Sequence, residues 1–216
     1  MDEETKGTPA NFSQRRIFCI ISPFILMLVC LTFALIFRNM LPIYIYKPII
    51  LTLYWVLSLL FVFIGIGVAE FKSLFQKPSG KIWWLVLALL IGLMPLSTFI
   101  IGFENLTWLY FLLVIGLALI NSFCEEIYWR GFLLNHTFSS KKIACLYSIP
   151  LFVVCHFIWG ITSPDVVHPI VLTVMAIMAI GWSIITIKTK SVWWAVISHF
   201  IVNVFSLSAM TLLLII

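Results

Sequence analysis

Charged side chains are scarce in this sequence. They make up 10% of its 216 residues, while 63% are hydrophobic and the mean hydropathy is +1.17. A soluble domain carries about 25% charged residues, so this composition excludes an ordinary water-soluble fold. It predicts a polytopic membrane protein with no room left for a separate soluble domain.

Several catalytic and binding motifs are missing as well. No glycine-rich phosphate loop is present, which excludes an ATP-driven transporter, and no Gly-x-Ser-x-Gly surrounds a serine, which argues against a serine protease. The five cysteines form no Cys-x-x-Cys pair, and we interpret them as small packing residues. The net charge of +5 does not indicate nucleic-acid binding, because lysine and arginine report topology in a membrane chain.

The sequence does contain long uncharged runs, and seven of them are long enough to span about 30 Å of hydrocarbon. We therefore expect an all-α fold with about seven transmembrane helices. One continuous helix over residues 105–139 would be about 52 Å long, so we also expect a short or broken helix near residues 127–140. The runs are residues 17–37, 48–69, 82–103, 105–124, 143–164, 166–187 and 191–216.

Three regions follow from this pattern. Residues 1–16 are polar and predict a cytoplasmic tail, residues 17–104 predict scaffold helices, and residues 105–216 predict a catalytic membrane core. With the N-terminus in the cytoplasm, all lysines and arginines outside the membrane face inward except Arg38 and Lys47. This positive-inside bias predicts an integral, multi-pass protein with a cytoplasmic N-terminus.

Three charged residues interrupt the apolar pattern: Glu125, Glu126 and Arg130. An ionised side chain in the hydrocarbon core costs about 2.5–3.5 kcal/mol, so such a cluster indicates a function. Glu126 and Arg130 are four residues apart and can pair on one helix face. Glu125 is then left without a local partner.

Further polar residues lie inside other runs. His156 is in the fifth run, and His199 and Asn203 share one face of the last. Counted from the nearest inward-facing lysine at 1.5 Å per residue, these residues and the charged cluster lie at roughly 14–24 Å depth. This common depth predicts one polar pocket.

These groups suffice for hydrolysis by an activated water. Glu125 would act as general base on a water shared with His156, while His199 and Asn203 would donate to the developing oxyanion. Arg130 would hold Glu126 in a supporting role. The two histidines and a glutamate also match a zinc ligand set. We prefer a reaction without cofactor, because there is no His-Glu-x-x-His and no carboxylate is seen to orient an imidazole.

Three motifs occur in order: Glu125-Glu126-x-x-x-Arg130, Phe152-x-x-x-His156 and His199-x-x-x-Asn203. In this order they resemble the CPBP family, the CAAX prenyl protease and bacteriocin-processing (Abi) intramembrane proteases. The resemblance implies a glutamic-type endopeptidase with Glu125, His156, His199 and Asn203 catalytic and Glu126 and Arg130 supporting.

The family resemblance also implies a peptide or membrane-protein substrate in the lipid bilayer. Small bacterial members are linked to bacteriocin maturation and self-immunity, and eukaryotic members cleave CaaX ends. A chain of this size is more similar to the first group, so we expect the bacterial cell membrane. Two alternatives remain open: a non-catalytic membrane immunity or binding protein, and a proton-coupled carrier. The oligomeric state is left open.

Overall fold

The structure describes seven main helices. The computed structural model describes residues 9–97, 100, 107–161 and 163–212, and the side chains of residues 13–97, 100, 107–161 and 163–206. No strand occurs within these ranges. The helices, numbered in chain order, are α1 (Pro9–Arg38), α2 (Ile43–Ser73), α3 (Trp83–Gly92), α4 (Trp108–Glu126), α5 (Lys141–Gly160), α6 (Pro169–Thr189) and α7 (Trp193–Leu212).

The expected all-α membrane fold is confirmed. Five helical stretches are long and apolar enough to cross a membrane, and α3 and α7 contribute shorter apolar helices. The five stretches are Ser13–Arg38, Ile43–Ser73, Trp108–His136, Lys141–Gly160 and Pro169–Thr189. The first half of the predicted tail and the boundary between residues 104 and 105 lie outside the described residues.

Local capping explains where several helices begin. Thr107 accepts a hydrogen bond from the Tyr110 amide at the start of α4, and Ser140 accepts one from the Ile143 amide at the start of α5. Such hydroxyl caps satisfy amides that have no partner within the helix. A 3-10 turn, Pro164–Val167, then leads into α6.

The predicted irregularity near residues 127–140 is a π-helical segment. α4 continues without interruption into Ile127–Leu133, which is π-helical, and ends with the single α-turn Leu134–His136. The stretch from Trp108 to His136 is therefore one widened helix, and no re-entrant helix occurs in it.

Most of the basic residues lie at one end of the helical bundle, among them Arg15, Arg16, Lys141 and Lys190. We call this end the basic end. Arg15 forms an ion pair with Glu70 at the end of α2. The Arg16 Nε donates to the carbonyl of Thr137, just past the turn that ends α4 (2.8 Å). The start of α1 is thus attached to the ends of α2 and α4.

Two glycines let α2 approach the π-helical segment closely. A Cβ on Gly65 would lie 2.3 Å from a ring carbon of Phe132, and a Cβ on Gly131 would lie 2.7 Å from Leu74 Cδ1. Both neighbouring side chains are buried. The segment that carries Arg130 is therefore pressed against α2 with no room for an added methyl group.

Gly65→Ala is expected to destabilise the protein by about 1–3 kcal/mol, the usual cost of overpacking. Gly116→Ala is a matched control, since a Cβ there has no described atom within 4 Å and α4 is exposed at that position. Thermal unfolding in detergent would compare the two variants. Equal midpoints would contradict the tight packing of α2 on the π-helical segment.

Candidate active site

The π-helical segment places the charged residues inside the bundle. Glu125 and Glu126 end α4, Arg130 lies in the segment, and all seven residues of Ile127–Leu133 are buried. A π-helix bonds each amide to the carbonyl five residues back and so widens the turn, a geometry that is frequent at functional sites. The charges are therefore turned toward the neighbouring helices instead of toward lipid.

Glu126 is held by two partners through one oxygen. Its Oε1 accepts a hydrogen bond from Arg130 Nη1 (2.9 Å) and lies 2.7 Å from His199 Nδ1. The first contact is the ion pair that the four-residue spacing predicts. Because an ionised carboxylate can only accept, Nδ1 of His199 carries the proton in this contact.

Aromatic rings enclose this group. The His199 ring stacks on Trp182 of α6, with centroids 4.3 Å apart and planes at 18°. The Arg130 guanidinium lies 4.3 Å from the ring centroid of Phe152 and 5.1 Å from that of Trp182. These cation–π contacts partly replace the water that the guanidinium has lost.

Glu125 differs from its neighbour in having no ion pair at hydrogen-bond distance. Its side chain is 2% exposed, and its Oε2, like that of Glu126, has no hydrogen-bond partner among the residues that the structure describes. The nearest charged atom is His199 Nε2, 3.6 Å away, which is beyond ordinary hydrogen-bond distance. A buried polar atom without a partner needs an explanation. Here Glu125 Oε2 remains a free acceptor beside the His199 imidazole.

His156 approaches the same group from α5. Its ring centroid lies 4.6 Å from that of Phe152, the ring that also contacts Arg130 and has its centroid 6.5 Å from that of His199. Its Nδ1 lies 2.8 Å from the carbonyl oxygen of Phe152, which can only accept, so Nδ1 is the protonated nitrogen. In the neutral ring, Nε2 is then free to accept a hydrogen bond from a water molecule.

Asn203 lies one helical turn beyond His199 on α7. Its side chain is 8% exposed, and its Nδ2 finds no partner within the described part of the chain. The amide nitrogen is thus a buried donor still available to a substrate.

The structure brings Glu125, Glu126, Arg130, His156 and His199 into one cluster, with Asn203 on the adjacent turn. One expectation was wrong: a carboxylate does orient an imidazole, since Glu126 contacts His199 across 73 residues of sequence. Spacing rules report only neighbours on one helix, so this contact between α4 and α7 had no sequence pattern to reveal it.

Two aromatic residues of the site were missed by sequence reasoning. Trp182 lies in the middle of its run, away from the membrane-interface positions that tryptophan favours, and that position was a usable indication. The motif Phe152-x-x-x-His156 named Phe152 without a role, and the structure places its ring against Arg130.

No three histidine, cysteine, aspartate or glutamate side chains among the described residues are grouped as ligands for a metal ion. We therefore derive no step through a metal. The oxygen partners of both histidine Nδ1 atoms do not bear on the zinc alternative, because metal-bound imidazoles have such partners as well.

Carboxylates and imidazoles gathered inside an apolar helical bundle are groups suited to hydrolysis within a membrane. Residues 106–205 match the family model described as "Type II CAAX prenyl endopeptidase Rce1-like". This segment is thus similar to a family of membrane proteases, and the resemblance to the CPBP family is confirmed. Neither the search of curated proteins nor that of solved structures gave a match.

Proposed function

We propose that this protein is a glutamic-type intramembrane endopeptidase in which Glu125 activates water. The observation that carries the proposal is the different state of two adjacent buried glutamates. Oε2 of each glutamate has no hydrogen-bond partner among the described residues, but Oε1 of Glu126 is held by Arg130 and His199. Glu125 has no ion pair at hydrogen-bond distance, so its carboxylate can take a proton from water without breaking one, as a general base must.

The first step uses a water placed between Glu125 and His156. His156 Nε2 accepts one hydrogen bond from this water, and Glu125 removes the other proton. The resulting hydroxide forms a bond to the carbonyl carbon of the scissile amide, and the carbonyl electron pair moves onto its oxygen. Donors directed at this oxyanion stabilise the transition state.

Asn203 Nδ2 supplies one such donor. His199 supplies a second through Nε2 when its ring is doubly protonated, because Nδ1 is already directed at Glu126. When the C–N bond breaks, the proton held by Glu125 passes to the departing amine. Glu125 thereby returns to its ionised form.

The access route is inferred from a cavity of about 340 Å³ at the basic end. Its lining includes Asn135 and Lys141 beside the end of α4, and Thr186 on α6. Thr186 lies one turn from Trp182, which stacks on His199. We propose that water and the polar part of the substrate enter here, and that this end and the N-terminus face the cytoplasm of a bacterial cell.

The substrate is proposed as a peptide or membrane-associated protein. Bacteriocin maturation and CaaX-type processing need such a cleavage, and self-immunity can act through one. Peptidomics of membranes containing either the wild-type protein or the Glu125→Gln variant tests activity and identifies the substrate together. Products that are released only by the wild type support the proposal. Identical peptide profiles, with immunity retained by the variant, would favour a non-catalytic binding protein.

The proposed reaction uses no metal. Cleavage in proteoliposomes is therefore expected to keep its rate, within about twofold, after treatment with a strong chelator followed by its removal. Re-addition of zinc should then bring no gain. Loss of activity in the chelator and recovery with zinc would contradict the metal-free mechanism while leaving the peptidase assignment intact.

A further inference from the structure

A tyrosine outside the segment matched by the family model contacts the π-helical segment next to the proposed base. Tyr54 lies in the middle of α2 and is 1% exposed. Its hydroxyl oxygen accepts a hydrogen bond from Trp129 Nε1 (2.9 Å), and Trp129 directly precedes Arg130 in the π-helical segment. The Tyr54 hydroxyl is therefore fixed beside the charged cluster.

The hydroxyl still has its own proton to donate. An indole N–H is only a donor, so the contact with Trp129 occupies a lone pair of the Tyr54 oxygen and leaves its O–H free. The groups close enough to interact with this hydroxyl are the Glu125 carboxyl and the Cys155 thiol, and Glu125 lies four residues before Trp129 on the same helix. A carboxylate accepts a strong, charge-assisted bond, whereas a thiol is a weak acceptor.

We propose that Tyr54 is a positioning residue that donates its hydroxyl proton to Glu125. The bond holds one carboxylate oxygen toward α2, so that the unpartnered Oε2 is turned toward His156 and the water. This inference rests on the proposed role of Glu125 as base. It extends the site beyond residues 106–205 to a chain of contacts that runs from Trp129 through Tyr54 to Glu125.

The test compares Tyr54→Phe with Tyr128→Phe. The first variant keeps the ring that packs edge-on against Trp159 with a centroid distance of 5.5 Å. The control is a second buried tyrosine, Tyr128, whose hydroxyl pairs with Ser22 Oγ of α1 (3.0 Å). Each substitution removes one buried hydroxyl, so a general loss of stability affects both.

For Tyr54→Phe, kcat is expected to fall about 10–100-fold, the usual effect of losing a group that orients a reacting residue, with KM changed by less than about twofold. Tyr128→Phe should keep kcat. A wild-type kcat in Tyr54→Phe, or an equal loss in both variants, would overturn the inference.

A second measurement is independent of cleavage. The infrared carboxyl band of Glu125, identified by its loss in Glu125→Gln, should shift in Tyr54→Phe and stay in place in Tyr128→Phe and Cys155→Ala. A band that shifts only in Cys155→Ala would show that the thiol is the partner and would overturn the proposal. If the wild type cleaves no peptide, the proposed function is wrong. The infrared band of Glu125 would still show whether Tyr54 donates a hydrogen bond to it.

Discussion

Glu125→Gln is expected to lower the rate of peptide cleavage by on the order of 10³-fold, because an amide cannot take the proton from water and general-base catalysis contributes about that much. Folding should be preserved, since glutamine has nearly the same shape and Glu125 forms no ion pair at hydrogen-bond distance. Initial rates in proteoliposomes, together with thermal unfolding in detergent, would measure both effects.

The adjacent carboxylate provides the matched comparison. Glu126→Gln removes the negative charge that Arg130 and His199 share, so its loss of activity should come with a loss of stability. Glu125→Gln should lose activity alone. Normal cleavage by Glu125→Gln would end the assignment of the base, whatever the behaviour of Glu126→Gln.

Arg130→Met is expected to be the most destabilising single change in the site, by about 3–5 kcal/mol, because removing one partner leaves a buried charge without compensation. Both members of the pair are almost inaccessible, at 2% and 0% exposure. Chemical or thermal unfolding in a fixed detergent would measure the loss.

The double variant Glu126→Gln with Arg130→Met separates charge from packing. It removes both charges, so it should recover part of the stability lost in Arg130→Met, while activity stays low because His199 has lost its anchor. Arg130→Lys should be intermediate, since an ammonium keeps the charge without the planar stack on Phe152. A double variant less stable than Arg130→Met would contradict this account.

Much of the fold could be predicted from hydropathy, because a membrane helix must satisfy its own backbone and present apolar side chains over its length. The third run shows where that argument ends. Residues 82–103 are uncharged throughout, yet α3 stops at Gly92, a turn follows at residues 93–95, and residues 96 and 97 are helical again. Pro95 has no amide hydrogen and cannot continue regular helical hydrogen bonding. The length of an uncharged run does not predict such an interruption.

For the site, the sequence predicted the contacts within one helix but not the contacts between helices. The pair Glu126 and Arg130 follows from helical spacing, and the shared depth of the histidines follows from helix rise. The contact of Glu126 with His199, the stack on Trp182 and the approach of Tyr54 each join different helices. Those contacts depend on how the helices pack against one another. The periodicity of a sequence reports which residues share a face of one helix, and it does not report which helices are neighbours.

The contacts of the π-helical segment and the turn after it with α1 and α2 determine whether the matched segment can be moved into another protein. Tyr54 accepts from Trp129, Gly65 makes room for Phe132, and Arg16 binds the carbonyl of Thr137. In each pair the first residue lies outside the matched segment. A chimera that transplants residues 106–205 alone would therefore carry every motif but would lose the contacts with α1 and α2 that hold the motifs in position.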